Sequence, residues 1–316
     1  MLKLCHLMEN FELARLALTH WPHDEEGLDA LLRRFRISDN AIYPFMSEGH
    51  LCFLRLAPVD EKRPGALEGE LALIQALRRS GYPALQPLPA NDGQLLLRLS
   101  TPWGNWYAQA FAGVPGTPLD DLTLTEPLLL AYGECLARMH NLNTAPTPAP
   151  WRHTDALDWM EQTLSDCSAP REIITALRRL RSELALLPQT PGQYGVIHYD
   201  FEPDNVFWDE TAQCCHVIDF ADCMQHWYAA DIANALAELP DEAARETFLQ
   251  GYAQARPLPD DLTTLMPLML RFNSLYGYTR VLRCLTNPPL EQPEWMPGLI
   301  RHLQGLMTER AEMILQ

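Results

Sequence analysis

The chain has 316 residues, of which 47% are hydrophobic and 21% are charged, so its composition is that of a folded globular protein and not of a disordered segment. Its net charge of −17 at pH 7 argues against a nucleic acid or an anionic membrane as partner, because their phosphates would repel it. The same charge is compatible with a cationic small molecule.

The first 113 residues predict a small sheet accompanied by two helices. Apolar residues at helical spacing predict a leading helix over residues 9–20. A second helix is predicted over residues 67–81 and ends at Gly81. Strand patterns separated by turn residues occur at 41–47, 51–57, 94–100 and 106–113.

After a loop that contains Gly113, Pro115 and Gly116, which is typical of a hinge, the chain is mostly helical. Short apolar strands are predicted only at 206–209 and 215–220. Amphipathic helices are predicted at 126–142, 171–187, 231–239, 242–254, 262–285 and 298–315. The sequence therefore predicts an α+β fold with a small N-terminal lobe and a larger, mostly helical C-terminal lobe.

The cysteines and the apolar segments indicate the cellular compartment of the protein. None of the eight cysteines forms a C-x-x-C pair, and scattered cysteines in apolar surroundings are typical of reduced, buried thiols. No stretch is long enough to span a membrane, and the N-terminal residues lack a continuous signal-peptide core. These observations predict a cytoplasmic protein.

The stretch GVIHYDFEPDNVFWDETAQCCHVIDFADC, residues 195–223, places acidic groups between apolar strands. The spacing H-x-D-x-x-x-x-N runs from His198 through Asp200 to Asn205, and I-D-F follows with Asp219. Phosphoryl transfer needs one carboxylate to accept or orient the proton of an attacking hydroxyl, and a carboxylate and an amide to hold magnesium on the phosphates. Asp200 fits the first role, and Asn205 and Asp219 fit the second.

These residues resemble the aminoglycoside phosphotransferase and choline kinase-like family, whose fold is protein-kinase-like. The resemblance extends over residues 35–280. It is carried by the segments SDNAIYPFMSEGHLCFLRL, EGELALIQALRRSGYPALQPLP, LAYGECLARMHNL, HYDFEPDNVFWD, VIDFAD and FADCMQHWYAADIANAL. It implies an N-terminal nucleotide-binding lobe over residues 1–112 and a C-terminal catalytic and substrate-binding lobe over residues 113–316.

The resemblance also implies roles for single residues. Asp200 is the implied catalytic base, and Asn205 and Asp219 are the implied ligands of Mg²⁺. Arg55 takes the place of the lysine that contacts the α- and β-phosphates, and Glu70 is its implied ion-pair partner.

Further positions follow from the same resemblance. The backbone around Ala110, Phe111 and Ala112 is expected to face the adenine, and Asp231 is expected to be structural. ATP is the implied phosphoryl donor, with GTP left open.

The chain departs from the family pattern in the catalytic loop. Tyr199, Glu202 and Asp204 replace the commonest glycine, histidine and glycine. Glu202 and Asp204 either extend the acidic surface toward the substrate or are solvated loop residues. Arg55 stands where lysine is commonest, and its always-charged, bulkier guanidinium leaves the geometry of the phosphate contact open.

For four further candidate site residues the sequence allows two roles each. His198 is interpreted as a structural residue that braces the loop, although its chemistry also allows proton transfer. Asp222 is either a third carboxylate of the metal shell or a turn residue. Trp227 and Tyr276 are candidates for an aromatic pocket that binds a cationic acceptor, or they are core residues.

We therefore expect an ATP-dependent phosphotransferase that moves the γ-phosphoryl group to a hydroxyl of an amino sugar, an amino alcohol or a similar small molecule. The alternatives are a nucleotide-binding pseudokinase and a protein Ser/Thr kinase. The intact Asp200, Asn205 and Asp219 argue against the first alternative. The lack of G-x-G-x-x-G and of an A-P-E-like segment disfavours the second. The sequence does not determine the oligomeric state.

Overall fold

The computed structural model describes residues 1–7, 9–63, 65–142, 150–286, 288–289 and 292–315. Within these ranges the helices are α1 (Phe11–Leu18), α2 (Leu28–Leu32), α3 (Ala66–Arg79), α4 (Glu126–Asn141), α5 (His153–Asp166), α6 (Arg171–Leu184), α7 (Tyr228–Ala237), α8 (Glu242–Ala255), α9 (Leu262–Cys284) and α10 (Met296–Leu315). The strands are β1 (Arg36–Ile37), β2 (Ala41–Ser47), β3 (His50–Pro58), β4 (Pro87–Leu88), β5 (Leu97–Thr101), β6 (Gly104–Ala112), β7 (Thr117–Pro118), β8 (Trp151–Arg152), β9 (Tyr194–Ile197), β10 (Val206–Asp209), β11 (Cys214–Val217) and β12 (Met224–Trp227).

The N-terminal sheet is antiparallel, with the order β1-β2-β3-β6-β4 and with β5 also paired to β6. Strand β3 is central, and Arg55 lies in it opposite Ile42 of β2 and Gln109 of β6. Since β2 and β3 run in opposite directions, the turn between β1 and β2, residues 38–40, lies at the end of the sheet where β3 ends. This arrangement gathers the β1–β2 turn and the segment after β3 in one place.

Apolar residues on both faces of the sheet hold the helices against it. One face packs against α1 and α2 in a core that includes Leu13, Leu32, Phe45 and Leu54. Helix α3 belongs to a second core, which continues through α4 and α8 to the hairpin of β10 and β11. The N-terminal sheet region and the helical region are therefore joined by buried apolar contacts through α3.

Gly116 lies where the chain passes from the sheet into the helical region. Its φ of 98° is in the left-handed range that favours glycine, and a Cβ there would collide with the backbone carbonyl of Trp208. The next residues form β7, which pairs with β10. The close backbone approach explains the glycine at the predicted hinge.

The structure confirms the α+β class, with an antiparallel sheet in the N-terminal region and a helical C-terminal part. The boundary between residues 112 and 113 stays a prediction. The sequence pattern did not predict helices α2 and α5, strands β9 and β12, or the two-residue strands. Among the two-residue strands, β4, β7 and β8 are defined only by partners distant in the sequence, whereas β1 pairs with the adjacent β2. None of the helices among the described residues combines the length and the apolarity that crossing a membrane requires.

Candidate active site

The loop that follows β9 contains His198 and Asp200, and Asp231 fastens it to helix α7. The fully buried Asp231 carboxylate accepts hydrogen bonds from the backbone N–H groups of His198 (2.8 Å) and Tyr199 (2.6 Å). It also contacts Nε2 of the buried His140 at 3.1 Å. A carboxylate with three such partners in the core fixes the loop backbone, because losing it would leave buried N–H groups unpaired.

Tyr199 has a φ of 73°, a left-handed conformation that costs free energy in a residue with a large side chain. Its N–H donates to Asp231, and its carbonyl accepts a hydrogen bond from Nδ2 of Asn234 at 2.6 Å. Hydrogen bonds at both the N–H and the carbonyl of Tyr199 therefore stabilise this left-handed conformation. This conformation accounts for the glycine that is commonest at this position in the resembled family.

His198 braces the loop toward the second motif. Its Nε2 lies 2.8 Å from the backbone carbonyl of Ile218, the residue before Asp219. The ring is fully buried and packs against Phe201 and Phe220. These contacts are those of a structural residue, although the role itself stays a proposal.

Asn205 is joined to Asp200 and to the strand pair behind it. Its Nδ2 donates to the Asp200 backbone carbonyl at 3.0 Å and to the Asp200 carboxylate at 3.1 Å. Its backbone carbonyl accepts from the N–H of Ile218 at 3.0 Å. Asn205 directly precedes β10, and Asp219 follows β11 after one residue, so both stand at the same end of this hairpin.

The electrostatics of the loop are dominated by negative charge. Burial raises the pKa of Asp200 well above its ordinary value, and the charges of Asp222, Glu202, Asp219 and Asp204 raise it further. Within the part of the chain that the structure describes, no basic side chain pairs with Asp200 or Asp219. Uncompensated carboxylates of this kind favour a bound cation.

The donor set fits Mg²⁺. Asn205 uses its amide nitrogen on Asp200, and its Oδ1 makes no hydrogen bond to the described residues. Together with the Asp219 carboxylate it offers hard oxygen ligands, which Mg²⁺ prefers. No three His, Cys, Asp or Glu side chains among the described residues are grouped so as to hold a metal ion.

Arg55 makes a buried, two-pronged ion pair with Glu70. Its Nη1 donates to Oε1 of Glu70 at 2.8 Å and its Nη2 donates to Oε2 at 2.5 Å. Its Nε and Nη2 both donate to Oε1 of Gln109, at 3.0 and 2.6 Å. The guanidinium also lies over the Phe111 ring, 4.9 Å from its centroid, and Arg55 is only 5% exposed.

The segment expected to face adenine is the end of β6. Ala110 is fully buried and pairs with Leu54 and Leu88, and Phe111 packs into the core. The N–H of Ala112 donates to the carbonyl of Gln86 at 2.9 Å. This donor is therefore engaged within the sheet, and any adenine contact at Ala112 has to use other atoms.

Glu202 and Asp204 lie in the loop between Asp200 and β10. Burial, together with the charges of Glu238 and Asp204, raises the pKa of Glu202 to about 7. Burial also raises the pKa of Asp204, whose Oδ1 is enclosed without a hydrogen-bond partner among the described residues. Neither residue is a freely solvated carboxylate. The backbone N–H of Glu202 donates to the Asp200 carbonyl at 3.0 Å, but neither side chain is hydrogen-bonded to Asp200 in the described part of the chain.

Asp222 and Tyr276 meet at a cavity of about 80 Å³ between the segment after β3 and helix α9. The Tyr276 hydroxyl donates to Oδ1 of Asp222 at 3.1 Å, and Nη1 of Arg280 donates to Oδ2 at 2.7 Å. Arg63 and Trp159 also line the cavity. The hydrogen-bond partners of the Asp222 carboxylate are thus on α9 and not in its own turn.

Trp227 is not brought to this cavity. It is fully buried at the end of β12, its indole N–H donates to the carbonyl of Pro188 at 2.9 Å, and its ring packs against His153 and Tyr194. Its ring lies in the apolar core that joins α5, α6 and α9. It therefore belongs to the core and not to the acceptor pocket in which the sequence placed it as a candidate.

Lys62 is a polar residue near the site that the sequence reading missed. Its Nζ donates to the backbone carbonyl of Asp39, in the β1–β2 turn, at 2.9 Å. A compositional signal was available, because Lys3 and Lys62 are the only lysines in the sequence. The other 22 basic residues are arginines, so an ammonium group at position 62 is unusual in this chain.

Comparison with known proteins gives a consistent result. The sequence profile of the phosphotransferase enzyme family matches residues 23–266. Amicoumacin kinase of Bacillus subtilis (strain 168) is 23% identical over 315 residues, covering 90% of this chain and 93% of the relative. A homoserine kinase of Rhizobium johnstonii is 30% identical over 242 residues, covering 69% of this chain and 70% of the relative.

Among solved structures, an amicoumacin kinase in complex with AMP-PNP, Ca²⁺ and Ami superposes with a TM-score of 0.75 at 19% identity. The superposition covers 97% of this chain and 93% of that one. The similarity confirms the protein-kinase-like fold implied by the catalytic-loop motif. With the profile covering most of the sequence, the chain belongs to the phosphotransferase enzyme family and is a phosphotransferase.

Proposed function

We propose that this protein transfers the γ-phosphoryl group of ATP to a hydroxyl group of a small polar molecule that carries an amine, and that it does so in the cytoplasm. Asp200 accepts or orients the proton of the attacking hydroxyl, and Asn205 and Asp219 hold Mg²⁺ against the phosphates. When bound, the ion neutralises charge on the phosphoryl oxygens. The observation that carries the proposal is the Asn205 amide, which binds the Asp200 carboxylate with its nitrogen and leaves its oxygen for a cation.

The donor and the metal are supported by the related enzymes. The amicoumacin kinase structure contains an ATP analogue and a divalent cation. Among the described residues, the carboxylates near Asp200 form no ion pair with a basic side chain, apart from Asp222, which is bound by Arg280. A divalent cation with a bound nucleotide would supply that positive charge.

The acceptor class is supported by the cavity beside Asp222. The cavity is lined by both charged and aromatic side chains, so an apolar acceptor would not fit it. Nη1 of Arg63 is buried there without a hydrogen-bond partner among the described residues. An acceptor with an oxygen next to its amine would satisfy Arg63 while Tyr276 and Asp222 face the amine.

The test is a screen of hydroxyl compounds for ADP release, with amino alcohols, amino sugars and hydroxy amino acids in the panel. Release should require Mg²⁺ and should be lost in Asp200→Asn. A protein that hydrolyses or transfers phosphoryl from ATP under none of these conditions, while still binding the nucleotide, would instead be a pseudokinase.

A further inference from the structure

Lys62 follows directly on the strand that carries Arg55. Strand β3 continues into a short 3-10 turn over Val59–Glu61, and the N–H of Lys62 donates to the carbonyl of Val59 at 3.3 Å. The side chain then reaches across to the carbonyl of Asp39. Lys62 therefore connects the end of β3 to the β1–β2 turn, at the end of the sheet where these two segments meet.

Arg55 has little capacity left for a phosphate. A guanidinium has five N–H donors, and four of its N–H groups are directed at Glu70 and Gln109. Its charge is matched by the Glu70 carboxylate, and one face is covered by Phe111. Turning it toward a nucleotide would leave three buried acceptor oxygens, two of Glu70 and one of Gln109, without this partner, which is costly.

Lys62 has the complementary properties. An ammonium has three N–H donors, and among the described residues Nζ uses one, on the Asp39 carbonyl, and makes no ion pair with a carboxylate. The side chain is half-buried, so it is already ordered and partly desolvated. A half-buried cation with two open donors is suited to bind an anion.

We propose that Lys62, rather than Arg55, supplies the cation that contacts the phosphates of the bound nucleotide, and that Arg55 and Glu70 form the buried support behind it. The inference rests on the proposed function, because it places a nucleoside triphosphate between the β1–β2 turn and Asp219. Lys62 would then contact the nucleotide from a position after β3, whereas Arg55 lies within β3.

The charges around the ammonium agree with this arrangement. Burial, together with the charge of Arg55, lowers the pKa of Lys62 to about 8. The charges of Glu70, Asp222 and Asp219 act in the opposite direction without cancelling the effect of burial. A nearby phosphate would restore the charged form.

The first experiment compares the affinities of wild type, Lys62→Met and Lys62→Arg for ADP and for adenosine, by calorimetry with Mg²⁺. Loss of one charge-assisted contact should weaken ADP binding by about 10- to 100-fold in Lys62→Met and leave adenosine binding within about twofold. Lys62→Arg should recover part of the loss. Lys3→Met is the matched control, since the Lys3 side chain makes no hydrogen bond to the described residues.

The second experiment uses the unaltered protein and an acyl phosphate derivative of ATP. The neutral Nζ attacks the acyl carbonyl, an amide C–N bond forms, the C–O bond to the γ-phosphate breaks, and ATP leaves while the ammonium proton goes to solvent. Because the chain has two lysines, peptide mass spectrometry reads the site directly. We expect acylation of Lys62, suppressed by excess ADP, and little at Lys3.

Three outcomes would count against the inference. These are equal ADP affinity in wild type and Lys62→Met, an equal loss for ADP and adenosine, and acylation of Lys62 that ADP does not suppress. If the wild-type protein binds no magnesium nucleotide at all, the proposed function fails first, and the two failures are thereby distinguished.

Discussion

Nδ2 of Asn205 donates a hydrogen bond to the carboxylate of Asp200, 3.1 Å away, and a second to its backbone carbonyl, 3.0 Å away. One amide therefore orients the residue proposed to meet the acceptor hydroxyl and contributes the oxygen proposed to meet the metal. The side-chain orientation of Asp200 is set before any substrate binds. Asn205 therefore links the proposed proton acceptor to the proposed metal site.

Asp200→Asn should remove the proton acceptor while keeping the shape of the side chain. We expect turnover in the ADP-release assay to fall by about 10³-fold or more, with the affinity for magnesium nucleotide changed little. Asp260→Asn, at an exposed position, is the control and should leave both unchanged. Turnover that persists in Asp200→Asn would remove Asp200 from its proposed role.

Asp219→Asn should distinguish the contribution of the metal to nucleotide affinity from that of the base. Asp219 has a φ of 55°, and asparagine tolerates this left-handed conformation, so the loop should keep its shape. Losing one carboxylate should weaken the magnesium-dependent part of ADP binding by about 10-fold or more, with adenosine binding unaffected. Calorimetry with and without a chelator makes the comparison, and an intact magnesium-dependent affinity would contradict the metal role.

The predicted site residues that the structure places in one region are close in the chain. His198, Asp200 and Asn205 belong to one loop, and the hairpin of β10 and β11 brings Asp219 to the same end, so spacing alone indicates their meeting. The contact of Lys62 with Asp39 depends instead on sheet register, which no local pattern shows. Trp227 shows the same limit, because an aromatic pattern does not say whether a ring faces a pocket or the core.

Asp231→Ala should destabilise the whole catalytic loop. The substitution leaves the buried N–H groups of His198 and Tyr199 without an acceptor, at about 1–3 kcal/mol each. We expect the free energy of unfolding to fall by about 3–5 kcal/mol in urea titrations. Asp121→Asn, at an exposed carboxylate that ends a short 3-10 turn, should change it by less than about 0.5 kcal/mol. An equally small effect for both would show that the loop is held by other contacts.

Glu202 should make stability depend on pH in the absence of nucleotide. Its pKa is about 7 in the folded protein, against an ordinary value of 4.5, so the folded state holds the proton more strongly than the unfolded state. Stability attributable to this group is therefore full below about pH 4.5 and is lost as the pH rises toward 7. Glu202→Gln should have the same Tm as wild type near pH 4.5 and a higher Tm at pH 8.

The matched control for this titration is Glu246→Gln on the exposed side of α8. Its Tm difference from wild type should stay constant over the same pH range. A Tm difference for Glu202→Gln that is independent of pH would show that the carboxyl is not forced to hold its proton by burial and by Glu238.

Arg55→Lys tests whether the buried ion pair supports the site or touches the nucleotide. One ammonium cannot reproduce the fork to both Glu70 oxygens and the contacts to Gln109, so buried acceptors lose partners. We expect a loss of about 2–4 kcal/mol in the free energy of unfolding. ADP affinity of the folded protein should fall less than in Lys62→Met. Arg98→Lys, on the exposed side of β5, should change neither quantity. A variant that keeps its stability but loses more ADP affinity than Lys62→Met would return the phosphate contact to Arg55, because only a direct role in binding would then explain the loss.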